Sequence, residues 1–187
     1  MRRRFPWTIA AAVGMVAVLV LAISRIDLGE TIREVTLPLR HDDVIRQQAA
    51  RFDLDPALIA AVIYEESRFQ DQTSDAGARG LMQITPDTAD TIERLSGGET
   101  FEYEDLANPD LNIRYGTYFL DYLLDLYGGN VVAALAAYNA GPTNVRAWGG
   151  PELELDDIEF DETRHYVENV LERRDEYREK HPSDLGI

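Results

Sequence analysis

Hydrophobic and polar positions divide this chain into three stretches. Residues Trp7 to Ile23 are apolar and uncharged, and they follow Arg2, Arg3 and Arg4 after Phe5 and Pro6. Residues 25 to 40 mix charges, a glycine and a proline without periodicity, the pattern of a tether. From His41 onward apolar residues recur at helical spacing between helix start and stop signals, with no strand alternation of any length and no internal repeat. The expected fold is all-α (mainly α): a globular helical domain over residues 41–187, preceded by one N-terminal transmembrane or signal helix.

Within the domain, Asp42 or Asp43 is expected to cap a helix running to about Phe52. Asp55 before Pro56 sets a capping acid ahead of a proline at the first helical position. Pro56 to Ser67 is apolar nearly all round until Glu65 and Glu66, which predicts a buried central helix. Further helices are read from Pro86 to about Leu95, from Asn108-Pro109 to Tyr127, and over the alanine-rich Asn130 to Ala140. Glycines stop them in turn at Gly97-Gly98, Gly128-Gly129 and Gly141. Gly149 to Asp161 reads as an acidic irregular loop, and a last helix runs from about Glu162 to Lys180.

Charge changes the meaning of the N-terminal stretch. The chain carries 18 Lys plus Arg against 34 Asp plus Glu. The first 40 residues hold six arginines and three acids, which leaves a body of net charge −19. Such a body repels phosphate backbones, so nucleic acid is excluded as a partner. A positive cluster ahead of an apolar run is an export signal, and the positive-inside rule keeps the arginines cytoplasmic while the rest crosses. The 17 apolar residues would make a helix of roughly 25 Å, a little short of a ~30 Å hydrocarbon core. Two outcomes follow for residues 1–24, an uncleaved signal anchor or a signal peptide cleaved near Ser24. Either places the domain in the cell envelope, anchored in the cytoplasmic membrane with its body outside, or secreted. The absence of cysteine excludes a disulfide scaffold, a thiol nucleophile and any Cys-based metal site.

The chemistry centres on the acids that end the apolar helix. Ile59, Ile63 and Glu66 share one helical face, and Leu58, Val62 and Glu65 share the next, so periodicity does not choose between the two carboxylates. A carboxyl group emerging from an apolar helix has its charged form disfavoured, which suits it to donate a proton near neutral pH. The surrounding motifs are Glu66-Ser67-Arg68-Phe69, then Gly80-Leu81-Met82-Gln83-Ile84-Thr85-Pro86, then Asn108 with Asn112-Ile113 and Gly116. Ala137-Tyr138-Asn139-Ala140-Gly141 and Glu162-Thr163-Arg164 with Tyr166-Val167 complete the set. In this order the set resembles the lytic transglycosylase family that cleaves peptidoglycan, from about Val44 to Arg173.

That resemblance implies a lysozyme-like α fold and puts the catalytic acid on Glu66, the glutamate before serine. It also implies a substrate cleft lined by Ser74, Met82, Gln83, Tyr138, Asn139, Glu162 and Tyr166. The implied reaction cleaves the bond between N-acetylmuramic acid and N-acetylglucosamine and closes a 1,6-anhydro ring. Glu66 serves first as acid and then as base. Gln83 and Asn139 can each donate and accept, as sugar hydroxyls and acetamides require. Tyr138 either packs its ring under Glu66 and offers the carboxylate its hydroxyl or is a plain core tyrosine. Met82 is as well suited to fill the core as to touch a sugar, and Glu162 either steers cleft electrostatics or belongs to the capping turn of the last helix. Gly80 suggests a close chain approach beside the cleft or an ordinary turn. His165 has no second histidine at ligand spacing, and no metal or organic cofactor is implied. The expected partners are peptidoglycan strands, and the membrane through the N-terminal helix. Two other readings stay open: a lysozyme-type hydrolase, and a non-catalytic peptidoglycan-binding scaffold that keeps the cleft.

Overall fold

The computed structural model describes residues 37–96 and 102–187 of the chain. The predicted signal or anchor segment, residues 1–24, lies outside the described residues, as does the tether as far as residue 36. Among the described residues no helix is long and apolar enough to cross a membrane. A compact unit extends from Pro38 to Ile187.

Its elements are α1 (Asp42–Phe52), α2 (Pro56–Ser67), α3 (Pro86–Leu95), a 3-10 turn (Tyr103–Ala107), α4 (Pro109–Leu126), α5 (Val131–Ala140), α6 (Pro142–Trp148), two further 3-10 turns (Gly150–Glu152 and Leu155–Asp157), α7 (Asp161–Lys180) and α8 (Pro182–Leu185). Four starts follow the chemistry of their caps. Asp55 accepts the Ala57 N–H ahead of Pro56, and Asn108 accepts from Asp110 and Leu111 ahead of Pro109. The Thr85 hydroxyl caps α3, and the Asn130 side chain caps α5. The first helix departs from expectation. Neither Asp42 nor Asp43 caps it, because His41 takes the cap position in a left-handed conformation and both acids fall inside the first turn. There they face the positive end of the helix, and Asp42 pairs with Arg46 one turn on. The short helices α6 and α8 were not foreseen. Each begins at a proline, Pro142 or Pro182, that also follows the end of the preceding helix.

Helix α2 is the centre of the core. Ala57 through Ile63 have almost no exposure, and α7 packs along it while α1 crosses both α2 and α4. Helix α5 is the second buried helix. Ala133 through Ala137 are closed off between α4 and α7, where their small side chains leave room for close approach. Tyr177 anchors α7 on the far side, with its ring against Tyr64 and Phe69 and its hydroxyl donating to the Pro38 carbonyl at 2.6 Å.

The irregular segment between α2 and α3 is held by side chains from three helices. Asn112 of α4, fully buried, accepts the Met82 N–H at 2.7 Å and donates to the carbonyls of Arg79 and Leu106 at 2.9 and 3.0 Å. Ser67 at the end of α2 donates to the Leu81 carbonyl at 2.7 Å, and Tyr138 of α5 donates to the Met82 carbonyl at 2.9 Å. These side chains add to the loop's own backbone bonds, the paired Arg79–Ile84 bridge among them, and together they satisfy its buried polar backbone. Gly80 is required by this arrangement. It has a φ of 76°, and a Cβ there would lie 2.1 Å from Asn112 Nδ2 and 2.7 Å from the Leu106 carbonyl. The close approach is found, against Asn112 and Leu106, and Gly80 also opens a turn in which its carbonyl accepts the Gln83 N–H.

Candidate active site

Glu66 and Glu65 leave the last turn of α2 about 100° apart, and the helix that receives both is α7. Tyr166 and Arg173 lie two turns apart on one face of α7. The Tyr166 hydroxyl donates to Glu66 Oε1 at 2.7 Å, and Arg173 Nε approaches Glu65 Oε1 to 3.6 Å. Packing therefore separates the two acids that periodicity left equivalent: Glu65 is committed to an ion pair, and Glu66 to a hydroxyl beside open space.

That space is a cavity of about 200 Å³ lined by Glu66, Ala78, Gln83, Thr85, Thr88, Phe119, Tyr138 and Asn139. A neighbouring cavity of about 380 Å³ shares Thr85, Thr88, Phe119, Tyr138 and Asn139 and extends along Asp87, Thr91, Tyr122 and the Ala140–Pro142 turn. Together they make an open groove between α3 and the ends of α4 and α5, with the Glu66 carboxyl in its wall. Among the described residues Glu66 is the one carboxylate lining the cavity beside it, and Asp87 belongs to the outer one.

Burial pushes the Glu66 carboxyl up to about 7, the Tyr166 hydrogen bond works against that rise, and the charge of Glu65 adds to it. Near neutral pH the group thus holds and releases a proton with comparable ease, which is what one residue needs to act as acid and then as base. Burial and the nearby Glu66 charge raise the phenols of Tyr138 and Tyr166 well above their ordinary range, so both remain neutral donors.

The structure brings together Glu66, Gln83, Tyr138 and Asn139 in the cavity wall, with Tyr166 bonded to the acid. The hydroxyl contact read for Tyr138 is corrected. Its hydroxyl is used on the Met82 carbonyl, and Tyr166 is the residue that offers its hydroxyl to Glu66. Gln83 sits in the left-handed region with a φ of 47°. Its side-chain amide donates to the Gly80 and Gln72 carbonyls at 2.8 and 3.1 Å, which leaves its amide oxygen available to a ligand. Asn139 is oriented by Thr163, whose hydroxyl donates to its Oδ1 at 2.8 Å.

Three expected site residues are not among those lining this cavity. The Ser74 hydroxyl accepts the Ala78 N–H at 3.0 Å and closes a turn, so it acts on the cavity through the placement of Ala78. Met82 is fully buried against Gly116, where a Cβ would come within 2.4 Å of its sulfur, so of its two readings the core filler is found. Glu162 is exposed in the first turn of α7. Sequence reasoning missed Thr163, Thr85, Thr88 and Phe119. Thr163 lies inside the quoted Glu-Thr-Arg motif, but its partner is 24 residues away and only the fold brings the two into contact.

Comparison with known proteins was consistent. The family described as Transglycosylase SLT domain matches residues 43–160. The soluble lytic murein transglycosylases of Salmonella typhimurium and Escherichia coli are 36% and 35% identical to the chain over 147 residues, covering 74% of it and 23% of each relative. A lytic transglycosylase Slt from Pseudomonas aeruginosa, solved as an inactive glutamate-to-glutamine mutant, superposes with a TM-score of 0.73. The two are 36% identical, and the match covers 79% of this chain and 25% of that one. The 70 kDa soluble lytic transglycosylase of Escherichia coli gives 0.72 at 33% identity, over 78% of this chain and 25% of that one. The chain thus spans about a quarter of the length of these relatives.

Proposed function

Because this chain belongs to the transglycosylase SLT domain family, we propose that it is a peptidoglycan lytic transglycosylase with Glu66 as its single acid and base. The observation that carries this reading is a buried carboxyl group, hydrogen-bonded to Tyr166 and set in the wall of an open groove, where burial raises its pKa to about 7.

In the first half of the reaction Glu66 gives its proton to the oxygen joining C1 of N-acetylmuramic acid to N-acetylglucosamine, and the bond from C1 to that oxygen breaks. In the second half the Glu66 carboxylate removes the proton from the C6 hydroxyl of the same muramoyl residue. The freed oxygen bonds to C1, closing a 1,6-anhydro ring and returning the proton to the enzyme. No water is consumed. The muramoyl N-acetyl group assists at C1, and the attacking hydroxyl is already tethered to its target, so no enzyme nucleophile is required. Tyr166 fixes the direction of the carboxyl and favours its ionised form for the second half. Gln83 and Asn139 bind hydroxyl and acetamide groups, with Thr163 orienting Asn139. A hydrolase of the two-carboxylate kind needs a second acid to activate water or attack C1, and the cavity beside Glu66 supplies none among its described lining residues. The site of action is the cell wall. The Arg2–Arg4 cluster and the apolar run to Ile23 carry the domain across the cytoplasmic membrane, anchoring it there or releasing it after cleavage near Ser24.

Digestion of purified sacculi by the full chain, followed by mass spectrometry of the fragments, tests this. Anhydro ends, lighter than reducing ends by one water, are expected from the wild type, and none from Glu66→Gln. Reducing ends from the wild type would establish hydrolysis instead. Equal activity in the two proteins would remove Glu66 from the mechanism.

A further inference from the structure

The groove continues past the catalytic cavity into the outer one of about 380 Å³, whose walls favour positive charge in three independent ways. The first is Asp87, in the first turn of α3, and no Lys, Arg or His is among the described residues lining this cavity with it. Arg94, two turns further along α3, is tied to the Asp90 carbonyl at 3.2 Å and to the Thr91 hydroxyl at 2.9 Å. The second is the carbonyl end of α5. Residues Ala137 to Ala140 close that helix in the cavity wall, and a helix C-terminus carries about half a unit of negative charge. Pro142, four residues after Tyr138, has no N–H to give the Tyr138 carbonyl. The third is the aromatic side of the groove. There the Phe119 and Tyr122 rings lie 6.2 Å apart at 23°, Tyr138 meets Phe119 at 5.7 Å, and ring faces attract cations. The N-terminus of α3 opposes these with about half a positive charge, which the full charge of the Asp87 carboxylate exceeds.

We propose that this outer cavity is a subsite for an ammonium group carried by the substrate, paired with Asp87 against the Phe119 and Tyr122 rings and the carbonyl end of α5. This rests on the groove being the glycan site of a transglycosylase. The two cavities share Thr85, Thr88, Phe119, Tyr138 and Asn139, so a substrate whose glycosidic oxygen lies at Glu66 extends into the outer one. A metal ion is the poorer fit, since calcium seeks six or more oxygen ligands and the described lining offers one carboxylate among rings and small side chains. An ammonium group needs only an acceptor or two, with an apolar or aromatic surface for its carbon stem. Two amines of peptidoglycan have this chemistry: the side-chain amine of a diamino acid in the stem peptide, and the amine of a glucosamine that lacks its acetyl group.

The test uses the full chain and two pairs of glycan strands, each pair differing only in its amines, at about pH 6.5, where both amines are protonated. In the first pair, strands bearing stem peptides are used as isolated or after acetylation of their amines. In the second, peptide-free strands carry glucosamine either free or N-acetylated. The readouts are kcat/KM for release of anhydro ends and, by calorimetry, affinity for Glu66→Gln, which needs no turnover. For the pair whose amine reaches the cavity, acetylation should lower both quantities roughly three- to tenfold. Asp87→Asn should bring that preference down to about twofold or less, and Asp87→Glu, which keeps the charge, should retain most of it. Preference in the first pair identifies the stem-peptide amine, and preference in the second the amino sugar. Absence of preference in both pairs overturns the proposal. So does a preference that survives intact in Asp87→Asn, as bulk repulsion between the acidic body and the polymer would. Discrimination in binding to Glu66→Gln without anhydro ends from the wild type would keep the ammonium subsite and overturn the transglycosylase reading, so the two failures are distinct.

Discussion

A carboxyl group held protonated by burial stores a stability cost that Glu66→Gln should release. In the unfolded chain Glu66 ionises near its ordinary value of 4.5, and in the folded protein near 7. Below 4.5 both states carry the proton and there is no cost. Between 4.5 and 7 the unfolded chain loses the proton while the folded one keeps it, so stability declines by about 1.4 kcal/mol per pH unit. Above 7 both are ionised and the cost levels off at about 3 kcal/mol, an upper bound because the side chain keeps an edge toward solvent that screens it. Glutamine stays neutral throughout and still accepts the Tyr166 hydroxyl. The variant should match the wild type at pH 4 and exceed it increasingly up to about pH 7.5, with a gain in Tm on the order of 5 to 10 °C there. Thermal unfolding of both proteins, followed by circular dichroism at pH 4, 6 and 8, measures this directly. A Tm difference that is constant across these values, or a wild type more stable than the variant at pH 8, would refute the account of Glu66 as a desolvated acid.

Removing the Tyr166 hydroxyl in Tyr166→Phe withdraws the bond that favours the carboxylate. The Glu66 midpoint should then rise above about 7, the alkaline limb of activity should move to higher pH, and the rate at pH 7 should fall roughly tenfold as the carboxyl loses its direction. Asn112→Ala leaves the Met82 N–H and the Leu106 carbonyl without their buried partner and takes one of two bonds from the Arg79 carbonyl, which keeps the Ile84 N–H. Denaturant titration should register a loss of about 3 kcal/mol or more. Since the body carries a net charge of −19 and wall polymers are themselves often anionic, muralytic activity should rise between low salt and about 0.15 M as long-range repulsion is screened. A flat or falling response would show that bulk charge does not limit encounter with the wall.

Local chemistry made most of the helices readable in advance. Asp55-Pro56, Thr85-Pro86 and Asn108-Pro109 each combine a side chain that accepts orphan N–H groups with a ring already set at helical φ, and α2, α3 and α4 start there. Where cap chemistry was ambiguous, at His41-Asp42-Asp43, the start was misread. Where proline directly follows a helix end, at Gly141-Pro142 and His181-Pro182, a short new helix starts that the sequence did not announce. Glu66, Gln83, Tyr138 and Asn139 line one cavity and Tyr166 bonds to its acid, whereas Ser74, Met82 and Glu162 are not among its lining residues. A motif records which residues occur together, and it does not distinguish those that face the groove from those that build the loop behind it.

The sequence alone determined an apolar helix ending in two carboxylates, the helices around it, and a strongly acidic body behind an arginine-led apolar head, because caps, periodicity and charge are local properties. It did not determine which hydroxyl reaches the acid, since Tyr138 and Tyr166 are equally far from it in kind and differ only in where α5 and α7 place them. Nor did it reveal that Asn112 holds a loop 30 residues away in sequence, or that Arg173 draws Glu65 aside. These pairings join residues 30 to more than 100 positions apart, and no local propensity encodes them. Packing of α4 against the loop decides the first, and packing of α7 against α2 decides the glutamate pairings, by burying one carboxylate beside a hydroxyl and the other beside a guanidinium, and that difference in surroundings gives two adjacent glutamates different chemistry.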